Sequence, residues 1–209
     1  MNSRNTIHFF VIIYLLEVNN MKFDLYDFDG TIYDGDSGVD LVLFGLRKCP
    51  KQILRIPKML WYGLLYLLHL TDKTKMKSVM FSFVQYVDDI DKFVLEFWEG
   101  HEKKLKNFWT KKQTHSRDII ISASGYFWLQ YIADKYKVYD LFATTYDTKT
   151  GQVIGLNCHG KEKVKMFYEK YPKGIIGKMY TDSKHDLPLI EEAKEGYLVK
   201  GDIVKKYYD

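Results

Sequence analysis

The residues best placed to do chemistry begin with Asp27-Phe28-Asp29-Gly30-Thr31, at the end of an apolar stretch that starts at Phe23. Two carboxylates at the rim of a sheet are costly unless a cation or a reacting group accepts their charge. In an open α/β sheet the rim at the carboxyl ends of the strands is where ligands bind. Taken alone, the pair also fits an acidic turn after an edge strand. Three later features share its placement. Ser122 ends the apolar run at 118–122 and opens Ser122-Ala123-Ser124-Gly125 before a helix. Main-chain N–H groups and a hydroxyl there suit a phosphate, although serine is also a routine helix cap. Lys163 sits in Gly160-Lys161-Glu162-Lys163, at a helix start, where a cation opposes the helix dipole. A bound phosphate explains Lys163 better than helix stability does, whereas Lys161 and Lys165 read as solvated surface charges. Asp182 and Asp186, four apart after another short apolar stretch, can face one cation or divide between capping and binding.

The elements that must position these groups follow from periodicity. A strand is expected at 22–28, then a loop through Tyr33-Asp34-Gly35-Asp36-Ser37-Gly38. Apolar residues at three- and four-residue spacing predict helices at 40–47, 52–70, 75–86 and 92–106, an all-helical insert of its own. From 117 the pattern becomes strand and helix in alternation. Strands are expected at 118–122, 177–180 and 196–199, helices at 125–135, 160–171 and 187–194, and a hairpin from 141–146 and 152–156. This predicts an α/β fold, a Rossmann-like three-layer core with a mostly parallel sheet, plus the helical insert.

Composition narrows the partners. The chain has 209 residues, 46% hydrophobic and 28% charged, as a soluble globular protein does. A net charge of +4 with no Lys/Arg block or zinc-ligand cluster gives no indication of nucleic acid. Cys49 and Cys158 are the only cysteines, so a reducing, cytoplasmic location is the expectation. Residues 7–18 are nearly all apolar but too short to span a membrane, and no signal-peptide cleavage site follows. Residues 1–20 are therefore expected to form an extension outside the fold, preceding Met21; a membrane-associating leader is the alternative.

In their order and spacing, Asp27-x-Asp29-Gly30-Thr31, Ser122, Lys163 and Asp182-x-x-x-Asp186 resemble the four-motif signature of the haloacid dehalogenase superfamily, over about residues 22–199. The helical insert directly after the first motif resembles the C1 cap of the subgroup containing phosphoserine phosphatases (subfamily IB). The run Cys158-His159-Gly160-Lys161-Glu162-Lys163 and the hairpin ending at Gly155 look like the same subgroup. Thr181 stands where that family often has a glycine. The resemblance implies a catalytic core at 21–37 and 115–209 and a cap at 38–114. It implies a magnesium-dependent phosphomonoester hydrolase with Asp27 as nucleophile and Asp29 as general acid and base. Asp27, Asp29, Asp182 and Asp186 would hold Mg2+, and Thr31, Ser122, Ala123 and Lys163 would bind phosphate. The acid at Asp29 favours phosphoester hydrolysis, because a halide leaving group needs no proton.

The substrate is less defined. Phosphoserine phosphatases typically carry a Glu nine residues after the nucleophile; here that position is Asp36. The run from Met59 to Leu70 is apolar and aromatic, and between 40 and 77 eight basic residues face only Asp40 and Asp72. One reading is a helix buried in the cap's own core with a solvated rim. The other is a basic, apolar surface toward an anionic membrane or a lipid phosphate, at the inner face of the membrane. A phosphorylated small molecule or a lipid headgroup phosphate is the expected partner, a phosphatidylglycerophosphate-type lipid phosphatase being the alternative reading. A non-catalytic binding module is the less favoured one. His69 and His101 read as surface or core residues.

Overall fold

The computed structural model describes residues 21–207, so the expected extension at 1–20 lies outside the described residues. β1 (Lys22–Tyr26) alternates between two apolar layers. Phe23 and Leu25 face one, while Tyr26 and Phe28 (just past the strand) face the other. The chain then enters the helical insert. α1 (Ser37–Lys48) is capped by Asp36, whose carboxylate accepts from the Val39 N–H at 2.9 Å. α2 (Ile56–Leu67) has Pro57 in its first turn. α3 (Lys73–Met80) is capped by Asp72 and α4 (Ile90–His101) by Asp89, each accepting a main-chain N–H. A short α5 (Asn107–Thr110) completes the insert.

The long helices expected here are each interrupted. Pro50–Arg55, Phe81–Tyr86 and Glu102–Lys104 are 3-10 turns next to shorter α-helices. Apolar residues three apart suit either helix type, so the spacing alone does not separate them. After α5 come β2 (Asp118–Gly125), α6 (Tyr126–Lys135), β3 (Asp140–Tyr146) and β4 (Val153–Ile154). α7 (Lys161–Lys170), β5 (Ile175–Thr181), α8 (Leu187–Glu192), β6 (Glu195–Lys200) and β7 (Ile203–Lys206) follow.

The strands form one sheet in the order β4-β3-β2-β1-β5-β6-β7. The five inner strands are mutually parallel, and the two edge strands pair antiparallel. β2 repeats the alternation of β1, with Ile119 and Ile121 in one layer and Ile120 in the other. Strands covered on both faces read as continuous apolar runs, which is what Asp118-Ile119-Ile120-Ile121 displays. α7 and α8 cover one face through Phe167, Leu189 and Ile190; α6 covers the other through Trp128, Leu129 and Ile132. The fold is the expected α/β architecture with a helical insert between β1 and β2. β7 was not expected, having only two apolar residues in Ile203-Val204-Lys205-Lys206.

One aromatic cluster runs through both the insert and the sheet. Phe81 stacks on Trp128 at 4.9 Å between ring centroids and meets Tyr146 edge-on at 5.0 Å. Trp98 of α4 donates its indole N–H to the Trp128 carbonyl at 2.7 Å. Burying several such rings contributes about 2 kcal/mol each from apolar area. α2 is the exception within the insert. Among the described residues it packs against α3 and the Pro50–Arg55 turn, and Met59 is its one buried residue. The reading of 59–70 as a helix buried in a cap core is therefore corrected: its Leu and Trp stripe points outward.

Candidate active site

The site lies at the carboxyl ends of the central parallel strands. Asp27 follows β1 directly, and its N–H donates to the Tyr180 carbonyl of β5 at 2.9 Å, prolonging the parallel pairing. The chain then turns sharply, with Gly30 at φ +72° and its N–H bonded to the Gly35 carbonyl. A side chain at Gly30 is excluded twice, by this φ and by the Asp182 carboxylate, which fills the place a Cβ would take. The Asp182 N–H donates to Thr31 Oγ1 at 2.9 Å, tying the loop after β5 to the loop after β1. Thr31 is fully buried in this role and is not among the residues that line the cavity.

Lys163, in the first turn of α7, is almost fully buried. Its ammonium donates to Asp27 Oδ1 and to Asp186 Oδ2, both at 2.8 Å. Thr181 Oγ1 donates to Asp186 Oδ2 at 3.0 Å and accepts from the Ser183 N–H, also at 3.0 Å. The hydroxyl that replaces a glycine thus orders the turn. At the end of β2 the register with β3 shifts between Ser122 and Gly125, which frees Ala123 and Ser124 from the ladder. Ser122, Ala123 and Ser124 line the cavity together with Asp27, Asp29, Lys163, Asp182 and Asp186. Seven of the eight expected site residues therefore meet around one cavity of about 530 Å³.

Asp29 is held from two sides, by the Ser37 N–H at 2.7 Å and by the Ser124 hydroxyl. Burial, with Asp36 nearby, pushes its carboxyl up to about 6. Burial pushes Asp27 up to about 7; Lys163 opposes that rise and Asp186 adds to it. Lys163 itself rises above the ordinary lysine range, since Asp27 and Asp186 together outweigh the opposing effect of burial. Asp182 is also shifted upward, mainly by burial. Four carboxylates thus converge where one buried ammonium contacts two of them.

Other contributors lay beyond the sequence motifs. Lys106, before α5, is buried and donates to the Gly30 carbonyl. Lys77 of α3 donates to the Ala123 carbonyl at 2.6 Å and to Asn157 Oδ1 at 3.0 Å. Burial, with Lys73 beside it, lowers Lys77 to about 8. His159 and His185 pack at 5.0 Å on the cavity wall, and burial lowers His159 to about 4, leaving it neutral near pH 7. His69 and His101 lie away from the cavity lining, as expected. Among the described residues no three His, Cys, Asp or Glu side chains stand as a ready metal cluster.

The sequence matches the haloacid dehalogenase-like hydrolases over residues 25–191. The chain belongs to that family. A protein of unknown function from Bordetella pertussis Tohama I superposes with a TM-score of 0.66 at 16% identity, over 85% of this chain and 89% of that one. A probable phosphoserine phosphatase from Vibrio cholerae gives 0.63 at 13% identity, covering 86% of this chain but 56% of that one. A phosphoserine phosphatase captured as a phospho-aspartyl intermediate analogue gives 0.54 at 15% identity, with 85% of each chain covered. These likenesses bear on the fold. No curated protein matches the sequence. Among the described residues of this haloacid dehalogenase-like hydrolase, no helix is long and apolar enough to cross a membrane.

Proposed function

We propose that this hydrolase is a magnesium-dependent phosphomonoester phosphatase working through an aspartyl-phosphate on Asp27. The observation that carries the reading is the buried Lys163 ammonium, bonded at once to Asp27 and Asp186 at 2.8 Å beside an independently held Asp29. A structural ion pair has no need of a second acid positioned by two donors at the mouth of a cavity.

Asp27 attacks phosphorus, forming an Oδ–P bond as the bond to the leaving alcohol breaks. Asp29 gives its proton to the departing oxygen; its raised pKa, about 6, keeps it partly protonated near neutrality. In the second half, Asp29 takes a proton from water as that oxygen bonds to phosphorus and the Asp27–P bond breaks. Lys163, Ser122 and the Ala123 main chain grip the other phosphate oxygens and stabilise charge in the transition state.

The residues present fit a hard divalent cation. Carboxylate and carbonyl oxygens are the donors Mg2+ takes, and burial raises both Asp27 and Asp182, a cost to their charged forms that a bound cation would offset. Asp27, the Asp29 carbonyl and Asp182 would hold it, with Asp186 in support. When bound, the cation offsets the repulsion between carboxylate and phosphate dianion.

In this reading residues 38–114 are the cap over a core made of 21–37 and 115–209. Two features favour an apolar leaving alcohol over an amino acid. Asp36 caps α1 through its carboxylate. The cavity wall includes an apolar stretch, Val39, Val42, Leu43, Met76, Met80 and Phe81, beside Lys73, Lys77, His159 and His185. A phosphorylated lipid headgroup or small apolar alcohol suits that wall. The test is hydrolysis of an aryl phosphate with and without magnesium: Asp27→Asn abolishes it, and retained turnover overturns the assignment.

A further inference from the structure

We propose that the outer face of α2 is a docking surface for a lipid bilayer with anionic headgroups. The helix is amphipathic in the inverted sense. Leu60, Trp61, Leu64, Leu67 and Leu68 recur at three- and four-residue spacing, the stripe that normally meets a core. Among the described residues that stripe meets none: Leu60 is 69% exposed, Trp61 58% and Leu67 74%. The chain leaves α2 through His69 at φ +57°, with the Leu70 N–H bonded back to the Leu65 carbonyl. In such helix ends the residue after the left-handed position usually packs back on the helix. Leu70 instead points outward, 70% exposed, and Leu54 before the helix is 85% exposed. Contiguous apolar surface of this kind marks an interaction site.

Charge decides the partner. From 41 to 71 the sequence has no Asp or Glu, and Arg47, Lys48, Lys51, Arg55 and Lys58 precede or open the stripe in sequence. Among the described residues Lys48 alone of these is ion-paired, with Glu96. Arg55 and Lys58 lie 5.9 Å from the rings of Tyr86 and Tyr62, leaving their charge available. A second copy docking face to face would bring two cationic rims together, which is unfavourable. An anionic bilayer complements them, with Leu and Trp entering the headgroup boundary and Lys and Arg at the phosphates. A helix of 12 residues is too short to span a bilayer and lies in its plane.

The test uses the full chain and vesicles of phosphatidylcholine with or without phosphatidylglycerol, read by co-sedimentation. Binding is expected only to the anionic vesicles, weakening about tenfold or more at high salt. Leu60→Ser with Leu64→Ser and Leu67→Ser is expected to lower it by roughly tenfold or more, with the thermal melt and aryl-phosphate turnover kept. Trp98, Trp109 and Trp128 are fully buried, so the emission of Trp61 reports contact: it shifts to the blue on anionic vesicles, and Trp61→Phe removes the shift. No binding by the wild type overturns the proposal, as does undiminished binding by the triple variant. A concentration-dependent dimer that the triple variant abolishes overturns it too, assigning the face to a second copy.

Discussion

The Lys77 ammonium of α3 donates a 2.6 Å hydrogen bond to the carbonyl of Ala123, at the end of β2. A side chain of the insert thereby holds the main chain beside the expected phosphate position. The same ammonium reaches Asn157, so one cation joins the insert, β2 and the segment leading to α7. Replacing it with Met keeps the apolar stem and removes both bonds. Hydrogen bonds to charged groups contribute about 1.5–3 kcal/mol, so Lys77→Met is expected to raise KM for a phosphomonoester about tenfold, with a smaller fall in kcat. Steady-state kinetics check this, and an unchanged KM would remove Lys77 from substrate binding.

The same residue gives a pH signature. Burial, with Lys73 next in effect, lowers Lys77 to about 8 from an ordinary 10.5. Below pH 8 both folded and unfolded chains carry the proton, and the cost of burying the charge is fully present. Between pH 8 and 10.5 the unfolded chain binds more protons than the folded one, so this residue's contribution to stability rises with pH. The difference in Tm between wild type and Lys77→Met is expected to change in favour of wild type across that window, and to be flat from pH 6 to 7.5. Thermal melts at matched ionic strength measure it.

Ser124 acts through Asp29. Its hydroxyl and the Ser37 N–H hold the two carboxylate oxygens. Ser124→Ala leaves one oxygen free to rotate, and kcat is expected to fall about tenfold with KM nearly unchanged. Ser124→Thr retains the donor and restores most of kcat. Equal losses in both variants would show that the hydroxyl is not the operative group.

Gly30→Ala tests the junction of the two acidic loops. The added Cβ meets the Asp182 carboxylate and sits at φ +72°. A destabilisation of about 1–3 kcal/mol is expected from the backbone alone, together with loss of magnesium-dependent activity as Asp182 is displaced. Melting temperature and a magnesium titration separate the two effects.

Tyr146 offers the opposite case. Its hydroxyl is buried without a partner and lines the cavity wall. Removing an unpaired buried polar group stabilises or is neutral, so Tyr146→Phe is expected to keep or raise Tm.

Much of this site was legible because chemistry sits where periodic patterns stop. Asp27, Ser122 and Asp182 each follow an apolar strand, and Lys163 opens a helix whose start Gly160 marks. Ser124, Lys77 and Lys106 were not legible in the same way. Their partners lie 95, 46 and 76 residues away in sequence, and no local pattern announces such a contact. Periodicity also told that α2 has an apolar stripe without telling which way it faces. Direction depends on what else is present to cover it, and among the described residues α3 and the Pro50–Arg55 turn bury only Met59. The 3-10 turns were missed because apolar spacing does not register whether a carbonyl bonds three or four residues ahead.

The shared aromatic cluster has a consequence for how substrate enters. Phe81 belongs to the insert, Trp128 and Tyr146 to the sheet side, and their rings lie 4.9 and 5.0 Å apart. A rigid flap hinged at the loop before α1 would have to prise these rings apart at every turnover and wet a dry interface each time. Met76 and Met80, unbranched and pliable, line the same cavity. Under the proposed function, traffic to Asp27 would pass these two thioethers, and the size of alcohol admitted would depend on how far they fold aside.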